Sequence, residues 1–290
     1  MSGDISQQPT LGAIPRFYIW NGEMLFLGNF SIPHRAHKVV QEKLIVCLKG
    51  ALTLQCPGGK RIVTRSCLLQ TGVYLDTTQV DAGQAVVAIY YLQPFSQDYP
   101  ALASVMQEAF PGVSFGHPLE DALAACFLSL RDGKPASPEE AYTKLHGLLV
   151  PSELETRMFR EFDSRILSVV QTIRSAVCEN HSLSDLAASV HLSESRLGKL
   201  FKDQIGLPVT QYRLRYRVFI SVILLAQGYS VTEAALIAGF SNSAHFSRSF
   251  SAINGVQPST TFMRPPFLET FIDDDIQALV KSIADRQPLP

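Results

Sequence analysis

Ser193-Glu-Ser-Arg-Leu-Gly-Lys-Leu-Phe-Lys202 and Asn242-Ser-Ala-His-Phe-Ser-Arg-Ser-Phe250 are one pattern written twice. An offset of 49 pairs Ser193 with Asn242, Leu197 with Phe246, Lys199 with Arg248, Phe201 with Phe250 and Gly206 with Gly255. Each copy holds an N-cap type residue, an apolar pair at i and i+4, a cation between them, and a glycine after the last turn. Ahead of each lies a short Ala-rich segment, Ser184-Asp-Leu-Ala-Ala-Ser-Val190 and Thr232-Glu-Ala-Ala-Leu-Ile-Ala238. The first of these is predicted to start at a cap on Ser184. Helix, tight turn, capped helix is the helix-turn-helix pattern, and two copies predict two recognition helices. Pro208 and Gly228 bracket the segment between the copies. As a helix, Val209 to Gln227 spans roughly 30 Å at 1.5 Å per residue. Successive major grooves on one face of B-DNA lie about 34 Å apart. The first half of this rod carries Arg213, Arg215 and Arg217, and its second half, Val218 to Ala226, is almost wholly apolar and predicted to cross the core.

The string Ser193–Lys202, then Ala238-Gly-Phe-Ser-Asn-Ser-Ala-His-Phe-Ser-Arg-Ser-Phe250 and Gly255-Val-Gln-Pro-Ser259, closely resembles the AraC/XylS family of transcriptional regulators. The resemblance implies an α+β chain. An N-terminal cupin-like β-barrel with flanking helices would be joined to a C-terminal all-α double helix-turn-helix domain. It further implies sequence-specific binding of double-stranded promoter DNA, a small-molecule effector, a homodimer and contact with RNA polymerase, with no enzymatic activity and no cofactor. By the match, Ser195, Gly198 and Lys199 take base-facing positions in the first recognition helix. In the second, Ser243, Ala244, His245 and Arg248 face the groove and Asn242 caps. Lys199 can donate to guanine O6 or N7, and Arg248 can form a bidentate pair with guanine. Arg196 and Lys202, beside them, suit phosphates as readily as bases.

Length and composition agree with this division. A chain of 290 residues can bury two cores, and 46% apolar with 18% charged residues describes a globular protein. The net charge of −1 hides an asymmetry, because residues 160–264 carry 11 Lys and Arg against 7 Asp and Glu. That excess is the sign phosphate neutralisation needs. The five cysteines are odd in number and form no Cys-x-x-Cys, which argues against a disulfide framework or zinc finger and for a reducing, cytoplasmic setting. No apolar run approaches the ~20 residues that span a bilayer, and the first residues lack a signal pattern, so no membrane role is expected.

Three segments follow in order: an effector-sensing and dimerisation domain over 1–150, the double helix-turn-helix domain over 151–264, and an acidic extension over 265–290. In the first, short β-rich runs at Phe17–Trp20, Glu23–Leu27, Leu44–Leu48, Ala51–Gln55, Ile62–Thr64 and Ala85–Leu92 are punctuated by turn residues, which predicts a barrel over about 16–95. Small barrels hold small ligands. Tyr18, Trp20, Met24, His37, Gln41, Cys47 and Tyr90 are candidate lining residues, with the inward phase of each strand left open. Helical spacing then predicts helices over about 99–149 (Tyr99–Phe110, Leu119–Leu130 and Pro138–Leu149), packed beside the barrel or forming a dimer face. Glu161–Cys178 is the predicted first helix of the second domain. In the extension, Phe267–Phe271 with Ile276, Leu279, Val280 and Ile283 predicts an acidic amphipathic helix. It either packs on the domain, holds a partner, or damps DNA binding by its charge.

A rival reading comes from Gly28, His34, His37, Glu42 and Gly50, whose spacing resembles the first cupin motif. His34, His37 and Glu42 would then be metal ligands of a cupin-type metalloenzyme fused to the DNA-binding module. The pair is His-x-x-His rather than His-x-His, and no histidine occurs between His37 and His117, so the segment Gln70–Asp76 lacks the further imidazole. The preferred reading is metal-free. Effector identity, target genes and the sign of regulation are left open at this stage.

Overall fold

The computed structural model describes residues 14–20, 22–29, 37–75, 80–81, 86–93, 98–149, 161–254, 257–262 and 268–287. Its N-terminal part is built on one mixed sheet. The strands are β1 (Arg16–Ile19), β2 (Met24–Asn29), β4 (Lys43–Lys49), β7 (Ser66–Leu69), β10 (Val86–Tyr91), β11 (Gln107–Phe110), β12 (Val113–Phe115) and β13 (Glu269–Ile272). Their order is β11-β12-β7-β4-β10-β2-β1-β13. Two small sheets accompany it. One pairs β3 (His37–Lys38) with β8 (Tyr74–Leu75), and the other sets β5 (Leu52–Gln55) between β6 (Arg61–Thr64) and β9 (Val80–Asp81).

Strand alternation explains why the central runs are apolar at nearly every position: both faces are covered. Val86, Ala88 and Tyr90 of β10, with Leu44, Val46 and Leu48 of β4, join one core. Val87, Ile89, Ile45 and Cys47 join the core on the other face. The first face is closed by α1 (Asp98–Val105), α2 (Glu120–Asp132) and α3 (Pro138–Leu149), through residues such as Leu123, Phe127, Leu130 and Leu145. The second face is closed by the small sheets, through Leu52, Leu54 and Leu75.

The expected barrel is not closed. β11 and β13 form opposite, unjoined edges of the large sheet. With both faces already buried, closure is not needed to hide apolar surface. The β11 edge is blunted by exposed Gln107 and Glu108. The expected helix Tyr99–Phe110 also stops early, at Val105, because Pro111 and Gly112 turn the chain and let Gln107–Phe110 pair with β12.

The C-terminal part consists of α4 (Ser164–Ser175), α5 (Leu183–Ser189), α6 (Glu194–Ile205), α7 (Val209–Ala226), α8 (Val231–Ile237), α9 (Ser243–Asn254), the short α10 (Pro258–Phe262) and α11 (Asp274–Asp285). α4 is shorter than the expected Glu161–Cys178 because Asp163 caps it, accepting the Arg165 N–H at 2.9 Å. The boundary expected at residue 151 lies outside the described residues.

The extension joins the two parts. β13 adds to β1 in parallel, pairing Arg16 with Glu269 through Ile19 with Ile272. Arg16 donates to Glu269 at 2.9 Å and to the backbone oxygens of Leu130 and Gly133 at 2.6 and 2.8 Å. The Phe271 ring stacks on Tyr18 with centroids 4.7 Å apart. α11 then buries Ile276, Val280 and Ile283 in a core shared with α7, α8, α9 and with Phe17, Ile19 and Met24 of the sheet. Within the extension, Glu269–Ile272 thus form a strand where the sequence pattern predicts helix.

Candidate nucleic-acid interface

The repeat seen in the sequence is built in three dimensions by two matched capping systems. Ser182 accepts the Asp185 N–H at 3.0 Å while Asp185 accepts the Ser182 N–H at 3.1 Å. Ser230 and Glu233 do the same for α8, at 3.2 and 2.8 Å. These reciprocal bonds satisfy the free amides at each helix start and hold both carboxyls below the usual carboxylate range. The first cap is therefore Ser182 rather than Ser184, which lies inside the first turn. The caps are 48 residues apart and the recognition helices 49, so the second turn carries one extra residue, between Phe240 and Asn242.

Ser193 caps α6 by accepting the Arg196 N–H at 3.3 Å, and Gly206 ends it at φ 78°. Asn242 caps α9 by accepting the His245 N–H at 2.8 Å. Gly255, the expected counterpart of Gly206, lies outside the described residues. Leu197, Phe201, Phe246 and Phe250 are buried as the i, i+4 pattern requires, whereas Leu200 is half-buried.

On the opposite face of α6, Ser195, Arg196, Lys199 and Lys202 are exposed. On α9, Asn242, Ala244 and Arg248 are exposed while Ser243 and His245 are half-buried. The His245 ring is fixed: Nδ1 lies 3.3 Å from Ser241 Oγ, and the ring packs edge-on against Phe240 at 5.2 Å. Among the described residues, Arg196, Lys199, Lys202 and Arg248 have no side-chain ion pair or hydrogen bond, so their charges are available to a partner.

α7 is the strut between the two motifs. It ends one residue before the expected Gln227, and its 18 residues span about 27 Å at 1.5 Å each. Val209 and Tyr212 at its start belong to the core of α4, α5 and α6. Ile220, Ile223 and Leu224 near its end belong to the core of α8 and α9. One rigid element thus sits in both cores.

The arginines of the strut turn inward. Arg217 donates to the Val177 oxygen at 2.9 Å, the Glu179 oxygen at 3.1 Å and Asn180 Oδ1 at 2.9 Å. Arg213 donates to the His181 oxygen at 2.6 Å. Both satisfy carbonyls between α4 and α5. They are structural residues that sequence reasoning could only count as charge.

The turn of the second motif demands glycine. Gly239 has φ 85°, and a Cβ there would sit 2.8 Å from Cys178 Cα and 3.1 Å from the Val177 oxygen. The first motif carries His191 at φ 55° in the matching place, where it is exposed. Gly239→Ala is expected to cost at least roughly 1–2 kcal/mol for the left-handed backbone alone, with more from displacing the α4–α5 loop. Chemical denaturation should show this loss, and an unchanged midpoint would contradict the packing described.

Of the candidate effector residues, Tyr18, Trp20 and Tyr90 come together, with Trp20 5.9 Å from Tyr18 and 6.4 Å from Tyr90 between ring centres, while Met24, Gln41 and Cys47 lie elsewhere. Tyr18, Trp20 and Tyr90 lie on the helix-covered face, where Trp20 Nε1 donates to the Pro138 oxygen at 2.5 Å and its ring meets Tyr142 at 5.8 Å. Met24 sits in the core shared with α7, and Cys47 in the core under the small sheets. Gln41 donates to the Leu92 oxygen at 3.1 Å and lines a cavity between the two parts. His37 falls in β3, with its side chain outside the described residues, as is all of His34; Glu42 is half-buried. Among the described residues, no three His, Cys, Asp or Glu side chains are placed to hold an ion.

Comparison with known proteins decides what this double motif is. A helix-turn-helix domain family matches residues 186–264. The transcriptional regulatory protein HptR of Staphylococcus aureus is 32% identical over 97 residues, covering 33% of this chain and 38% of HptR. The arabinose operon regulatory protein of Salmonella typhimurium is 31% identical over 99 residues, covering 33% of this chain and 35% of that protein. The chain carries an AraC/XylS-type domain.

The chain spans little more than a third of the length of these curated relatives. ToxT of Vibrio cholerae extends the likeness beyond the AraC/XylS-type domain. A structure of ToxT with bound unsaturated fatty acid superposes with a TM-score of 0.54 at 15% identity, covering 85% of this chain and 97% of ToxT. An apo form gives 0.54 at 13% identity, covering 83% and 96%. The overall fold is therefore shared across both parts. Among the described residues no helix is long and apolar enough to cross a membrane.

Proposed function

We propose that this chain is a sequence-specific DNA-binding transcription regulator whose AraC/XylS-type domain reads two neighbouring stretches of major groove and whose N-terminal part makes binding responsive to a small molecule. The observation that carries the reading is the pair of capped helices, α6 and α9. Each buries its apolar face and leaves a cation, Lys199 or Arg248, exposed near its middle, and each is packed against one end of the strut. Relatives named as transcription regulators match this domain, and ToxT has been solved with an unsaturated fatty acid.

In this mechanism the chain performs no chemistry of its own. Arg248 contributes a bidentate contact to guanine and Lys199 a single donor, with Ser195, Ser243 and His245 beside them and Arg196 and Lys202 on phosphates. Asn242 acts mainly through its cap. Association as a homodimer would set two such domains on one operator, and contact with RNA polymerase would turn occupancy into transcription.

The test is fluorescence anisotropy on an operator selected from random sequence. Arg248→Ala and Lys199→Ala should each weaken binding by about 1–3 kcal/mol, roughly 5- to 150-fold, with unchanged circular dichroism. Wild-type affinity in both variants would show that these faces do not meet DNA.

A further inference from the structure

The second turn differs from the first by one residue, and that residue has no part in the core. The Leu192 N–H bonds to the Ala187 oxygen and the Phe240 N–H to the Ala235 oxygen, both at 2.9 Å, so Leu192 and Phe240 are equivalent. Both side chains pack against the core of their own motif. In the first motif the cap, Ser193, follows Leu192 directly; in the second, Ser241 stands between Phe240 and the cap Asn242. Ser241 is exposed, and among the described residues its hydroxyl meets Asn242 and His245 alone.

The hydrogen bonds around Ser241 fix one another's direction. Asn242 commits its Oδ1 to the His245 N–H at 2.8 Å, so its amide NH2 is left to face Ser241 Oγ, 3.5 Å away. A hydroxyl that accepts from Asn242 has its own proton for His245 Nδ1, at 3.3 Å. In the neutral ring Nδ1 is then the acceptor, and Nε2 carries the proton. Phe240, edge-on to the imidazole at 5.2 Å, holds the ring plane. Nε2 itself has no partner among the described residues and is open to the surface. The relay therefore runs from the cap to the ring and ends on an outward N–H. Arg248 lies three residues further on, on the same side of the helix. The residue of α6 that matches His245 by the offset of 49 is Arg196, an exposed cation with no such support.

We propose that Ser241 is a positioning residue that makes His245 a reader of one base, with the fixed Nε2–H donating to a purine N7 in the major groove. This rests on the reading of α9 as a groove-facing helix. A single in-plane donor suits N7, which both purines present. Cytosine offers only a donor at that edge, and thymine O4 stands beside a methyl group. Without the Ser241 hydroxyl, either ring nitrogen would carry the proton, and the ring would offer a donor or an acceptor in turn. The position would then accept any base.

The experiment uses the full chain and the operator selected from random sequence. Each purine is replaced in turn by its 7-deaza form, which keeps base pairing and lacks N7, and binding is followed by fluorescence anisotropy. One replacement should weaken wild-type binding by roughly 2- to 12-fold, as loss of one hydrogen bond does. Its penalty should survive Arg248→Ala, which separates it from the guanine met by that arginine, and vanish in His245→Ala. Ser241→Ala should abolish the penalty at that position and spare the others, and Ser241→Thr, which keeps the hydroxyl, should restore it. A penalty unchanged in Ser241→Ala overturns the proposal. So does a loss in Ser241→Ala spread evenly over all sequences, which a phosphate contact or a weakened cap would give, and so does the absence of any 7-deaza position that depends on His245. If Arg248→Ala still weakens binding in those cases, this inference fails alone. If no operator is selected at all, the regulator reading fails with it.

Discussion

Ending the chain at residue 267 is expected to lower the melting temperature by on the order of 10 °C and to split unfolding into two transitions. Three buried side chains of α11, Ile276, Val280 and Ile283, leave the core with it. At about 1.5–3 kcal/mol for each buried aliphatic side chain, the loss approaches the whole stability of an ordinary domain. The deletion also strips β13 from β1 and exposes Phe17, Ile19 and Met24, which now share a core with the second helix-turn-helix motif. The first motif has its own core with α4 and should outlast the second. Differential scanning calorimetry reads both effects. A truncated chain with one transition at the wild-type midpoint would show that the extension contributes nothing to joining the parts.

Glu23→Gln should make the protein more stable than wild type by a few kcal/mol at pH 9 while leaving it nearly unchanged near pH 4.5. Glu23 is 4% exposed and accepts a hydrogen bond from Tyr90 Oη at 2.5 Å. Burial raises its carboxyl to about 8, the nearby Asp98 adds to the rise, and the Tyr90 bond opposes it. Below about 4.5 both folded and unfolded chains carry the proton, so the group makes no difference there. Between about 4.5 and 8 the unfolded chain releases it and the folded chain keeps it, so stability falls as pH rises, at about 1.4 kcal/mol per unit at most. Above 8 the loss is complete. Glutamine can still accept from Tyr90 and has nothing to titrate. Urea midpoints measured from pH 4.5 to 9 should separate steadily between variant and wild type. Parallel curves would mean that Glu23 is already ionised in the folded protein.

The parts legible in the sequence were those fixed by neighbours a few residues away. The recognition helices announced themselves through a cap and an i, i+4 apolar pair, and both are present in α6 and α9. The correct first cap was also written locally, since Ser182 and Ser230 each precede an acid by three positions and Ser184 does not. The turn at Pro111-Gly112 was a missed signal of the same kind, and it would have ended the first flanking helix in time. Other features depend on partners far along the chain. Arg217 and Arg213 look like DNA-facing charge until the carbonyls of residues 177–181 are placed beside them. β13 pairs with a strand some 250 residues earlier, and four residues carry too little pattern to reveal it. The phase of the strands was hidden for a different reason. Because helices cover one face and small sheets the other, β4 and β10 are apolar on both sides and lack the alternation that would mark an inside.

The most direct measurement is hydroxyl-radical footprinting of the wild-type chain on its selected operator, with Lys199→Ala and Arg248→Ala alongside. Two protected patches per chain, about one helical turn apart and weakened separately by the two substitutions, are the predicted result. A single patch, or two patches unaffected by either change, would contradict the account of α6 and α9 as paired readers of DNA.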